Sequence, residues 1–186
     1  MAESPEYYTI KQRYTLGVNR YEINRTGADF TGGEPFAFAQ QKRMKLKEEI
    51  TFYTDDTKSE VVFSFKARNV MDIKSVVDVF DAQHQAIGSF SKDFAKSLMN
   101  STWYLDAPGL PQLTANEDST GKAIARRFIN FIPYNFSIHA PDGSVAMTIK
   151  RKGGVRDLYR VTVFDTRYDE RVVLGLMVAL DSLQDR

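Results

Sequence analysis

Along most of the chain apolar and polar positions trade places with period two, the pattern of strands that bury one face. Runs rich in aromatic and β-branched residues recur at 7–10, 21–23, 36–38, 50–53, 61–66, 76–80, 87–90, 103–105, 112–114, 136–139, 145–149 and 158–164, between polar turn residues. Such regular hairpin spacing predicts a mainly β sandwich or barrel. One hairpin unit repeats: Phe52 to Lys66, Val79 to Lys92 and Phe136 to Lys150 each hold an apolar strand, a polar turn, a second alternating strand and a basic residue at the exit. Asp142-Gly143 marks the last of these turns, because glycine accepts positive φ. Lys92 to Met99 and Gly121 to Phe131 carry helical spacing, the second ending before Pro133. Asp106 to Ser119, with Pro108, Gly109 and Pro111, reads mostly as a mobile loop.

The C-terminal segment changes period. Thr166 followed by Asp169 has the spacing of a helix start, a hydroxyl with a carboxylate three positions on. Asp169 and Glu170 also suit the positive end of a helix dipole. From Val172 to Leu180 the helix is apolar on every face, and such a helix must be enclosed. Roughly sixteen residues span about 24 Å, and a seven-residue strand about 23 Å. A closed antiparallel barrel of about twelve strands around a central hydrophobic C-terminal helix satisfies both patterns. This gives a single barrel domain over 7–186, preceded by a flexible N-terminus at 1–6.

Composition narrows the function. Lys+Arg 25 against Asp+Glu 24 leaves a net charge of +1, so no whole-chain field recruits nucleic acid. Cysteine is absent, which excludes disulfides, thiolate metal sites, a thiol nucleophile and palmitoylation. The acidic N-terminus lacks the apolar core of a signal peptide, and the run 172–180 falls short of the about 20 residues of a membrane span. A cytoplasmic protein, at most peripheral at a membrane, is expected. His84 and His139 fall at separate turns and supply too few ligands for a metal. Asp55-Asp56 and Asp165, Asp169 and Glu170 lack calcium-loop spacing and fit turn and cap chemistry. No nucleophile-elbow serine and no phosphate loop occur, so neither an enzyme nor a cofactor is expected. Trp103 and Tyr104 read as core aromatics.

Two basic clusters remain as candidates for anion binding. Lys42, Arg43, Lys45 and Lys47 form one; Lys150, Arg151, Lys152 and Arg156 surround the Gly153-Gly154 pair in the other. They read either as a local positive patch for an anionic headgroup or as solvated strand ends that resist edge pairing.

Several stretches carry a family likeness. Residues 79–88 (VFDAQHQAIG) followed by Phe90, Lys92 and Phe94, residues 101–104 (STWY), and the ending 169–183 (DERVVLGLMVALDSL) resemble the tubby C-terminal-like superfamily. The likeness is greatest to bacterial LURP-one-related and phospholipid scramblase-like proteins and covers about residues 7–184. It implies a twelve-stranded barrel around a central helix and binding of acidic phospholipids or phosphoinositides. No binding residue carries over position by position, and the cysteine-rich segment of scramblases has no counterpart. The resemblance therefore implies a non-enzymatic domain that binds anionic headgroups peripherally. A protein-interaction or structural module is the alternative.

Overall fold

The computed structural model describes residues 4–15, 18–42, 49–68, 76–93, 102–117, 135–152 and 158–184. Twelve strands, each formed where the period-two runs lie, are followed by one helix. They are β1(Glu6–Thr15), β2(Val18–Thr26), β3(Glu34–Lys42), β4(Ile50–Tyr53), β5(Val61–Ala67), β6(Val76–Asp81), β7(Ala86–Asp93), β8(Thr102–Asp106), β9(Leu113–Glu117), β10(Asn135–His139), β11(Val145–Lys152) and β12(Leu158–Val163). The helix, α1, spans Glu170–Gln184. Every strand pairs antiparallel with its sequence neighbours, and β1 closes the barrel against β12. Closure leaves no sheet edge to template aggregation.

An eight-stranded barrel is about filled by its own side chains; a wider one needs a plug. Here the plug is α1. Val172, Val173, Leu174, Leu176, Met177, Val178, Ala179 and Leu180 are all buried, as an all-apolar helix requires. The inner face of the sheet meets it with Tyr8, Ile10, Ile23, Phe52, Phe63, Phe65, Phe90, Phe136, Ile138 and Val161. Gly175 lies against the rings of Phe63, Phe65 and Phe90. Gly88 of β7 is required by proximity: a Cβ there would stand 2.7 Å from both the Asp106 carbonyl oxygen and Val172.

The ends of α1 are fixed by polar contacts. Its cap is Asp169, whose carboxylate accepts the Arg171 N–H at 3.0 Å and whose carbonyl accepts the Val172 N–H at 3.1 Å. This corrects the expected cap at Thr166, which falls inside a turn closed from the Tyr168 N–H to the Asp165 carbonyl at 3.3 Å. The far end carries the one buried acid among the described residues, Asp181, which accepts hydrogen bonds from Tyr159 Oη at 2.5 Å and Tyr21 Oη at 3.0 Å. Both tyrosines point inward from opposite sides of the β1 seam, so the helix is held at one depth.

Two further expectations change. Within 106–119 the residues 107–112 are loop as expected, but the strand marked at 112–114 runs from Leu113 to Glu117 and buries Leu113 and Ala115 between β8 and β10. Lys92 and Asp93 continue β7 instead of starting a helix, because they pair with Trp103 and Thr102. The remainder of that segment, and the helix expected over 121–131, lie outside the described residues. Asp142-Gly143 does turn as expected, with Gly143 at φ 86°.

Two substitutions test the plug. Gly88→Ala should cost about 1–3 kcal/mol in urea unfolding, because backbone cannot yield as a side-chain end can. Asp181→Leu should cost at least about 2 kcal/mol by the same measurement, since it leaves two tyrosine hydroxyls without their buried acceptor. An unchanged midpoint in either variant would contradict the packing described.

Candidate functional site

Antiparallel order places the strand connections alternately at two ends of the barrel. The end where α1 begins is acidic. Asp29, Asp55, Asp81, Asp142, Asp165 and Asp169 each accept the backbone N–H two residues ahead, at 3.1, 2.9, 3.0, 2.9, 3.3 and 3.0 Å. These are the aspartate turns that the hairpin repeat foreshadowed. Hydrogen bonds from Thr31, Thr57, Ser144 and Arg167 hold the Asp29, Asp55, Asp142 and Asp165 carboxyls below the usual range. Arg25 reaches Tyr8 Oη at 2.8 Å and Glu170 at 3.2 Å, tying the first turn of the helix to β1 and β2. Burial pushes the Glu170 carboxyl up, with Asp169 and Glu6 adding to it.

The basic residues gather elsewhere, on the outer face of β11, β12, β1 and β2 toward the end where α1 finishes. Register defines the rows. Lys150 stands opposite Arg160, Arg160 opposite Thr9, and Thr9 opposite Asn24. One row nearer the rim, Lys152 faces Leu158, Leu158 faces Lys11, and Lys11 faces Glu22. Nearer still, Arg13 faces Arg20. Arg13 is matched by Glu22 at 2.8 Å. Arg25, Arg68, Arg167 and Arg171 also face carboxylates, at the acid end or on β5 and β6. Lys11, Arg20, Lys150, Lys152 and Arg160 have no carboxylate partner among the described residues.

This arrangement splits the expected clusters. Lys150 and Lys152 are exposed on the outer face, whereas Arg151 alternates inward beside Ile149 and opposite Tyr159. The inner rim near Asp181 therefore has its own polar lining. It includes Lys92, whose ammonium sits 5.8 Å from the centre of the Trp103 ring and which burial holds below the usual lysine range. Lys42 ends β3 opposite Val18, at the same rim as Lys152. Arg43, Lys45, Lys47 and Arg156 lie outside the described residues. Lys11, Arg13, Arg20 and Arg160 were not singled out in the sequence: Arg160 meets Lys150 only once β11 pairs with β12, and Lys11, Arg13 and Arg20 join them only when the first strand pairs with the last.

The histidines take separate positions. His84 is exposed in the β6–β7 turn at φ 60° and stacks on Phe80 at 4.5 Å. His139 Nδ1 lies 3.3 Å from the Gly143 carbonyl. No group of three metal-ligating side chains occurs among the described residues. Trp103 is buried in the core, as expected.

A family model described as LURP-one-related matches residues 37–181, from β3 through Asp181 of the helix. The chain belongs to the LURP-one-related family. Neither curated proteins nor solved structures gave a match. The tubby-like barrel with its central helix is thus both the resemblance that the sequence carried and the architecture of this LURP-one-related domain. The matched segment holds Lys150, Lys152 and Arg160; Lys11, Arg13 and Arg20 precede it on β1 and β2. No described helix is long and apolar enough to cross a membrane.

The acid end gives a pH prediction. A carboxyl whose folded pKa is depressed stabilises the fold above its unfolded value and loses that contribution as pH falls through the folded value. Asp29, Asp55, Asp142 and Asp165 act in this sense, and Glu170, raised by burial, acts in the opposite one. The thermal midpoint followed by circular dichroism should hold or rise slightly from pH 7 toward about 5, then fall below about 4. A midpoint that climbs steadily into acid would refute this assignment.

Proposed function

We propose that this LURP-one-related domain attaches peripherally to membrane surfaces rich in acidic phospholipids, without catalysing a reaction, through the outer face of β11, β12, β1 and β2. The carrying observation is the set of cations Lys11, Arg20, Lys150, Lys152 and Arg160, without a carboxylate partner among the described residues, on adjacent strands of a chain whose net charge is only +1. Arg13 stands among them, Lys42 ends β3 at the same rim, and Arg43, Lys45, Lys47 and Arg156 follow or precede described strands in the sequence. Each Lys or Arg near an anionic surface contributes about 1 kcal/mol within a Debye length of about 8 Å. Lys150 and Lys152 lie roughly 16–23 Å along β11 from its acid-end turn. At that separation the aspartate turns are screened from the lipid while still orienting the barrel.

Co-sedimentation with phosphatidylserine vesicles tests the reading. Retention should fall as salt rises, and the triple change Lys11→Ala, Lys150→Ala, Lys152→Ala should weaken it by about a hundredfold. Failure of acidic vesicles to retain the native chain at low salt would overturn the proposal. A second reading, a protein partner at the acid end, is favoured by Phe164 just past β12 and Val145 at the start of β11, 45% and 41% exposed. Capture of one stoichiometric protein that Phe164→Ser abolishes, with lipid retention absent, would support it.

A further inference from the structure

Arg160 stands where three unfavourable features meet. Its direct ladder partner on the outer face is Lys150, and like charges placed about 5 Å apart across a ladder repel. Its Nε–H is buried and has no acceptor among the described residues, which costs free energy that a hydrogen-bond partner would return. Its guanidinium lies 5.0 Å from the centre of the Phe30 ring. Phe30 itself holds the left-handed backbone at φ 57°, uncommon for an aromatic residue, and packs edge-on to Tyr7 at 5.5 Å. The β2–β3 turn is thus folded over the outer face so that an aromatic ring steadies one arginine. Strain of this kind collects at ligand sites.

The ladder row itself supplies donors and no acid; Glu22, one row nearer the rim, is already paired with Arg13 at 2.8 Å. The ladder row runs Asn135, Lys150, Arg160, Thr9, Asn24 across five strands. Asn135 Oδ1 already accepts the Arg151 N–H at 3.1 Å, which leaves its amide hydrogens to donate. Lys152 and Lys11 flank the row on the next register, with Leu158 between them.

We propose that Arg160 and Lys150 form a phosphate subsite on this face, one that takes a phosphomonoester in preference to a singly charged headgroup. The inference rests on the membrane reading for the source of that phosphate, though not for its chemistry. A guanidinium fork engages two phosphate oxygens at once, and a lysine beside it supplies a second, point-like charge. The pair suits a group carrying nearly two negative charges at neutral pH. One oxygen shared by Nε and Nη supplies the buried donor's acceptor and separates the two cations.

The test uses the full chain and two probes. In proton–nitrogen spectra inorganic phosphate, but not chloride at equal ionic strength, should move the Arg160 Nε–H signal. Vesicles bearing phosphatidic acid should retain the protein about tenfold more tightly than phosphatidylserine vesicles of matched charge. Arg160→Lys should lose that preference; Phe30→Leu should reduce the preference with the barrel intact by circular dichroism. An Arg160 signal indifferent to phosphate overturns the subsite, as does a preference that survives in Arg160→Lys. A phosphate-responsive Arg160 with neither vesicle bound upholds the subsite, assigns it to a soluble phosphate compound and refutes the membrane reading. Equal retention on both vesicles refutes the subsite alone.

Discussion

The enclosure of one apolar helix by the chain's own sheet governs this molecule. Nothing on α1 between Val172 and Leu180 can face water, so the sheet must close around all of it. Closure in turn obliges β1 to find β12, a pairing between the two ends of the sequence that carries the loop-closure entropy of nearly the whole chain. The helix supplies the compensation: its apolar faces reward every strand at once. Asp181 then sets how far the helix enters, because its carboxylate satisfies two tyrosines on strands that flank the seam.

Strand direction does the rest of the sorting. With every pairing antiparallel, successive connections fall at alternate ends, and the short aspartate turns collect where the helix begins. The cations that remain are carried toward the other end on β11, β12, β1 and β2. A near-zero net charge therefore conceals a polarised object. Lys150 and Lys152 stand about two Debye lengths or more from the Asp142 turn along β11, far enough to present their own field at physiological salt.

Much of the fold was legible because one-face burial writes period two directly into sequence, and every run so marked is a strand. The helix was legible for the opposite reason, the lack of any polar face. Legibility ended where tertiary pairing overrides local signals. Thr166 has the spacing of a cap, yet the Asp165 turn takes up that stretch and leaves the role to Asp169. Leu113 and Thr114 fall in a marked run, yet the strand runs on through Glu117, where the sequence reads as loop, because neighbours on both sides pair with it. For the site, a run of three basic residues looks like one patch until alternation sends Arg151 inward and leaves Lys150 and Lys152 outside. Lys11 carries no local mark, since what brings it beside Lys152 and Arg160 is a ladder formed by residues about 150 positions apart, and Arg160 is isolated in sequence until β12 pairs with β11.

Magnitudes decide between two ways such a barrel could meet a bilayer. Withdrawing α1 to insert it would expose eight buried apolar side chains, at about 1.5–3 kcal/mol for each of the larger ones, and would strand Asp181 and its tyrosines. The outer cations return about 1 kcal/mol apiece, too little to offset that loss. The proposed attachment therefore leaves the barrel closed and works through charges already displayed on rigid strands. Its geometry is fixed before any lipid arrives, and its strength is set by salt and headgroup charge instead of by unfolding.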